Sequence, residues 1–273
     1  MDLQHAYVEG QMRPHFPALL ARFQAESDEA AASPGTALDL PYGPHPRQRF
    51  DHFPAIAPAC GTLLYLHAGY WQSRDKSQFR FVAPGLQRRG FHVVLVNYPL
   101  CPEVSLPDLV QAVRPCVRAV REHLGNDRLP LVVAGHSAGA HLAVELALAG
   151  DARIDGVLGI SGVYDPQPLL ATTLNAKLNL DARTAAACDV TARVRDGRIP
   201  GLWVVGGDET GAFLAQNARM HAAWSATGHW SRELVVPQAD HFTVLDAWVD
   251  GTGGWDDAFA AWQPLVGWRA SGR

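Results

Sequence analysis

Residues 135–139 read Gly135-His136-Ser137-Ala138-Gly139, a G-x-S-x-G pentapeptide set between two runs of different period. Leu131-Val132-Val133-Ala134 leads in as a continuous apolar, strand-like run. His141-Leu142-Ala143-Val144-Glu145-Leu146-Ala147-Leu148 leads out as a helix-like run. A serine at such a junction sits on a sharp strand-to-helix turn, which needs small neighbours for the chain to fold back closely. Its hydroxyl then projects from the sheet end, and the following helix N-terminus faces any developing anion. The competing reading is an ordinary tight turn between strand and helix.

The rest of the chain repeats this alternation. Strand-like runs occur at Gln48–Phe53, Thr62–His67, His92–Asn97, Leu131–Gly135, Gly156–Ser161, Gly201–Val205 and Glu233–Val236. Helix-like runs occur at Gln78–Arg89, Leu106–Leu124, Ala138–Ala149, Phe213–Thr227 and Val244–Val249. Several strands are unbroken Val/Leu/Ile runs, as expected where both sheet faces are covered. The pattern therefore predicts an α/β fold with a mostly parallel central sheet flanked by helices. With 273 residues, 48% of them hydrophobic, the chain suits one α/β domain spanning 1–273.

Two segments break the alternation. Residues 1–45 are rich in Pro and Ala and are expected as an N-terminal arm. Residues 162–198 carry short helix-like pieces and are a candidate cap insertion. Both sit where an α/β enzyme builds a small partial cap; the alternative is a surface arm and insertion.

Other function classes find little support. The net charge of −4, without a basic stripe, argues against nucleic acid and anionic membrane as partners. Cys60, Cys101, Cys116 and Cys188 are far apart, so neither a disulfide framework nor metal-site spacing is indicated. No metal and no cofactor is expected. The first residues lack a signal-peptide pattern, which with the cysteine usage points to the cytoplasm.

A serine nucleophile needs a base to take its proton and a carboxylate to hold that base in the right tautomer. In chain order these follow as Ser, acid, His. Of the 12 histidines, His141, His221, His229 and His241 lie after Ser137. Only His241 follows a strand through a short loop, Gln238-Ala239-Asp240, and it is the candidate base. The acid is expected after the preceding strand, in Gly206-Gly207-Asp208-Glu209-Thr210. Asp208 and Glu209 compete there: spacing from Gly206 favours Glu209, and the commoner use of aspartate favours Asp208. The oxyanion hole calls for the backbone N–H of Ala138 and donors from the loop after an early strand. His67-Ala68-Gly69-Tyr70-Trp71 supplies Gly69 and Tyr70.

Together these residues resemble the α/β-hydrolase superfamily in its hormone-sensitive-lipase-like branch, and within it most the kynurenine formamidases (arylformamidases). The family's H-G-G-Y-W stands here as His67-Ala68-Gly69-Tyr70-Trp71. Further matching stretches are Asp39–Gly43 before Gln48–Asp51, Asn97-Tyr98-Pro99-Leu100 and Ile160–Asp165. The acid loop also matches, with Phe213 and Gln216 at family-like offsets, as does Asp240-His241-Phe242. The resemblance spans about residues 35–250 and places Glu209 where the family's acid falls. Ala68 departs from the pattern; a positive φ at that position would strain an alanine.

The resemblance implies hydrolysis of the formyl amide of an N-formyl aryl amine, such as N-formyl-L-kynurenine, through a formyl-Ser137 intermediate. Tyr70, Trp71, Tyr164 and Phe242 are the candidate aromatic walls for such a small-molecule substrate. One alternative is a carboxylesterase on short-chain or aryl esters with the same triad. Another is a non-catalytic binding protein on a hydrolase scaffold. Near the C-terminus, Trp255, Trp262 and Trp268 are assigned either to the core or to a homodimer contact.

Overall fold

The computed structural model describes residues 2–56, 58–125 and 128–268. Its strands are β1 (Ala37–Pro41), β2 (Arg49–Phe53), β3 (Gly61–Leu66), β4 (Phe91–Val96), β5 (Leu131–His136), β6 (Gly156–Ile160), β7 (Gly201–Gly206) and β8 (Ser231–Val236). They form one sheet in the order β1-β2-β4-β3-β5-β6-β7-β8. β1 and β2 are antiparallel to their neighbours, and every pairing from β4 to β8 is parallel. This is the mostly parallel α/β sheet that the alternation predicts, in the arrangement that the α/β-hydrolase resemblance implies.

Successive strand residues point to opposite faces, and two cores result. Leu64, Leu66, Val94, Val133, Val157 and Val205 belong to one. Their chain neighbours Leu63, Tyr65, Val93, Val132, Leu158 and Val204 belong to the other. The helices divide accordingly. In chain order they are α1 (Leu3–Tyr7), α2 (Phe16–Ala31), α3 (Ala83–Arg88), α4 (Leu106–Val113), α5 (Cys116–Leu124), α6 (Ala138–Ala149), α7 (Asn175–Leu178), α8 (Ala182–Ala187), α9 (Gly211–Ala226), α10 (Thr243–Asp250) and α11 (Trp255–Trp262). α4, α5, α6 and α9 cover the first face; α2, α3, α10 and α11 cover the second. Trp255, Trp262 and Trp268 are buried in the second core.

Proline corrects two helix expectations. The run Leu106–Leu124 is two helices, because Pro115 has no N–H to donate and its ring excludes the carbonyl one turn back. Gln78–Arg89 divides into a 3₁₀ segment, Lys76–Val82, and α3, whose first turn contains Pro84, the one part of a helix that tolerates it.

Of the candidate cap segment, Leu174 lines the cavity. Residues 162–198 pack mainly inward, burying Leu169, Leu178, Leu180, Ala185 and Val190 in the first core. The N-terminal arm does most of the covering. Its α1 and α2 close over the C-terminal ends of the parallel strands, where open α/β sheets bind ligands.

Candidate active site

Ser137 stands between β5 and α6 at φ 57°, ψ −119°, a strained conformation for a residue with a Cβ. The flanking glycines permit the turn by close approach. A Cβ on Gly135 would lie 2.0 Å from the Gly139 carbonyl oxygen, and one on Gly139 would lie 2.1 Å from that of Leu66. The turn is anchored where the Ser137 N–H donates to the Ile160 carbonyl at 2.8 Å. The hydroxyl faces a cavity of about 230 Å³, which Ser137 shares with Gly69, Tyr70, His241 and Phe242.

His241 lies in the loop between β8 and α10. Its Nδ1–H donates to Glu209 Oε2 at 2.8 Å. Glu209 is buried and fully engaged. Oε1 accepts from the Gly206 N–H at 2.9 Å and from the Ser161 hydroxyl, and Oε2 also accepts from Gln11 Nε2 at 3.2 Å. Neighbouring loop side chains diverge, so Asp208 is exposed and turned away from the histidine. The structure thus pairs His241 with Glu209 and not with Asp208. No Ser137–His241 hydrogen bond forms among the described residues; such bonds commonly tighten only on substrate binding.

The backbone N–H groups of Gly69, Tyr70 and Ala138 donate to no partner among the described residues. Gly69 takes φ 137°, and Tyr70 and Trp71 follow at 50° and 57°. Ala68 is not among the positive-φ residues, so its methyl group carries no backbone strain in the first glycine position. The loop is held from outside: Ser73 N–H and Oγ both donate to the Gly69 carbonyl at 3.0 Å, and the Tyr70 hydroxyl donates to the Tyr7 carbonyl.

Of the candidate aromatic walls, Tyr70 and Phe242 line the cavity. Trp71 and Tyr164 do not, and this corrects the expectation. Trp71 turns into the first core, with its ring edge-on to His141 at 5.2 Å. Tyr164 packs edge-on to Trp203 at 5.6 Å beneath the site. Adjacency to the Gly69–Tyr70 loop does not fix which side of the backbone a side chain takes.

Several contacts of the site lie outside what the sequence pattern shows. His136, inside the pentapeptide, bonds through Nε2 to the His241 carbonyl at 2.7 Å, with the two rings 4.7 Å apart. A carbonyl only accepts, so His136 Nε2 carries the proton. Burial, reinforced by the neighbouring His241, pushes the His136 pKa well below the ordinary value and keeps it neutral. Phe213 closes the other side of His241, edge-on at 4.9 Å. The arm reaches the same loops: Gln11 bonds Glu209, Arg13 donates to the Asp208 carbonyl at 2.6 Å, and His15 meets Asp240 at 2.8 Å. Ser161 falls in the family-like stretch Ile160–Asp165, but nothing local ties it or Gln11 to Glu209, because those bonds span 48 and 198 residues.

A model of the alpha/beta hydrolase fold matches residues 63–196. The kynurenine formamidase of Danio rerio is 28% identical over 264 residues, covering 88% of this chain and 84% of that protein. That of Salmo salar is 29% identical over 231 residues, covering 79% and 78%. Among solved structures, one described as a putative thioesterase from Silicibacter sp. tm1040 is 30% identical with a TM-score of 0.83, covering 92% of this chain and 96% of that one.

The chain belongs to the α/β-hydrolase family.

An esterase of the bacterial hormone-sensitive lipase family superposes with a TM-score of 0.70 at 18% identity, covering 91% and 98%. As an α/β hydrolase, the protein holds its histidine–carboxylate pair and its strained serine at the strand ends where the family fold opens. Among the described residues, no helix is long and apolar enough to cross a membrane.

Proposed function

We propose that this protein is a serine hydrolase that cleaves the formyl amide of an N-formyl aryl amine, such as N-formyl-L-kynurenine. The observation that carries the reading is the Glu209–His241 pair opening with Ser137 and two free loop N–H groups onto one small, mostly apolar cavity. Matches to kynurenine formamidases over most of the chain support the substrate class.

Ser137 Oγ attacks the formyl carbon while His241 Nε2 takes the hydroxyl proton. Glu209, held by its other donors, keeps Nδ1 protonated and stabilises the imidazolium. The N–H groups of Gly69, Tyr70 and Ala138 receive the oxyanion; a donor of this kind contributes about 2.7–4 kcal/mol to the transition state. The tetrahedral adduct collapses by breaking the C–N bond, and His241 delivers its proton to the leaving arylamine. Water, deprotonated by His241, then attacks the formyl ester, and formate leaves as Ser137 regains its proton. The small cavity suits a one-carbon acyl group, and Phe242 and Tyr70 offer apolar surface to an aryl leaving group.

A second reading, hydrolysis of acyl esters or thioesters by the same residues, is favoured by the name of the 30%-identical structure, a putative thioesterase. Steady-state kinetics on N-formyl-kynurenine against p-nitrophenyl acetate separates the two. A kcat/KM for the formamide at least tenfold above that for the ester supports the first. Efficient turnover of the ester alone replaces it with the second. A fluorophosphonate probe that leaves Ser137 unlabelled in folded protein removes both.

A further inference from the structure

Arg74 is the only permanently cationic side chain lining the cavity, and no carboxylate lines it among the described residues. The arginine belongs to the segment after the oxyanion loop, at φ 73°. Its carbonyl is gripped by Arg47 at 2.8 Å, and its stem lies against Gly69. Its guanidinium makes no hydrogen bond and no ion pair among the described residues, and sits 5.8 Å from the Phe242 ring centroid.

The nearby acids are all committed elsewhere. Asp75 accepts from Arg47, Asn97 and the Ser77 N–H. Asp240 accepts from the Phe242 and Thr243 N–H groups and meets His15. Glu209 is saturated by its own donors. A half-buried guanidinium without a counter-charge is costly, and burial alone lowers the Arg74 pKa from its ordinary value. A chain that keeps such a group beside its serine gains from it only when something anionic arrives.

We infer that Arg74 is a specificity residue that binds a carboxylate on the substrate's leaving group, so that the preferred substrates are carboxylate-bearing aryl formamides or esters. The planar guanidinium matches a carboxylate with two parallel N–H···O bonds, and desolvation between Phe242 and the oxyanion loop strengthens them. The inference rests on the proposed role of Ser137 as the nucleophile of this cavity. N-formyl-L-kynurenine meets the requirement through its amino-acid carboxylate.

The test uses pairs that differ only in charge: N-formyl-kynurenine against its α-carboxamide, and 2- and 3-acetoxybenzoate against the matching acetoxybenzamides. The readout is the ratio of kcat/KM, acid over amide, in the wild type, Arg74→Gln and Arg74→Lys. The wild type is expected to favour the acid at least tenfold in a pair it turns over. Arg74→Gln should lower that ratio at least tenfold, and Arg74→Lys should fall between. If only the esters react, yet with this Arg74-dependent preference, the formamidase reading falls and the carboxylate site stands. If formamides react with no preference for the acid, or if Arg74→Gln leaves the ratio unchanged, the carboxylate site falls and the formamidase reading stands. Should Arg74→Gln fail to fold, inhibition of the wild type by kynurenine against its carboxamide decides: tenfold tighter inhibition by the acid upholds the site, and equal inhibition overturns it.

Discussion

Replacing Glu209 by glutamine tests the triad assignment most sharply, because the carboxylate's four donors dictate how the amide must sit. Oε1 faces the Gly206 N–H at 2.9 Å and the Ser161 hydroxyl; Oε2 faces His241 Nδ1 at 2.8 Å and Gln11 Nε2 at 3.2 Å. An amide has one accepting and one donating end. With its NH₂ toward Gly206 it opposes a backbone donor that cannot turn, leaving it unsatisfied at a cost of about 1–3 kcal/mol. With its NH₂ toward His241 there is no such cost, because Gln11 can rotate to offer Oε1, which has no partner among the described residues. That second orientation forces His241 to accept at Nδ1 and carry its proton on Nε2, the tautomer that cannot deprotonate Ser137. Loss of the charge that stabilises the imidazolium adds to this, and the comparable change in another serine triad costs about 10⁴-fold in kcat. Glu209→Gln is therefore expected to lose about 10³–10⁴-fold in kcat, or about 4–5.5 kcal/mol, with a near-native melting temperature. Asp208→Asn should stay within about threefold of the wild type, since its exposed side chain touches neither partner. Initial rates on p-nitrophenyl acetate and N-formyl-kynurenine, with circular dichroism melts, decide it. A Glu209→Gln enzyme within tenfold of the wild type would refute the reasoning, as would an Asp208→Asn enzyme equally damaged.

Three further outcomes are expected. Ser161→Ala removes a charge-assisted bond to Glu209 Oε1, worth about 1.5–3 kcal/mol where fully formed; kcat should fall about tenfold with KM little changed, and an unaltered kcat would deny Ser161 a positioning role. Gly139→Ala drives a methyl group against the Leu66 carbonyl at 2.1 Å; by overpacking alone it should destabilise by about 1–3 kcal/mol, measured by urea unfolding, and a native-like midpoint would show that the turn relaxes freely. Burial pushes the pKa of His67 from 6.5 down to about 4 and lowers those of His136 and His141. Between pH 6.5 and 4 the unfolded chain binds protons that the fold excludes, so this stability is complete above about pH 6.5 and is lost as the pH falls toward 4. For His67 alone the loss approaches about 3 kcal/mol. Urea midpoints that stay flat from pH 7 to 4.5 would contradict neutral buried histidines.

Much of this protein was legible in its sequence because the signals are local. Continuous apolar runs mark strands covered on both faces, and the strand–turn–helix setting of Gly135–Gly139 marks a serine on a strained turn. Chain order isolated His241. The helix breaks at Pro84 and Pro115 are equally local, but the apolar periodicity runs on across both prolines and masks them. Within the acid loop, the sequence's own residues left Asp208 and Glu209 open. Only the fold, by bringing β7 and β8 side by side, set Glu209 beneath the imidazole.

Sequence fixes the chemistry along the chain: where backbone must turn, which side chains carry protons, and which glycines let strands and helices touch. It does not fix which of two neighbouring side chains faces inward, since that depends on partners far away along the chain. Trp71 and Tyr164 went to the core, the N-terminal arm closed most of the cavity while residues 162–198 gave it Leu174, and Arg74 was left beside Ser137 without a counter-ion. Those outcomes were decided by close packing and by the need to satisfy each buried donor and acceptor, which act only once the sheet has formed.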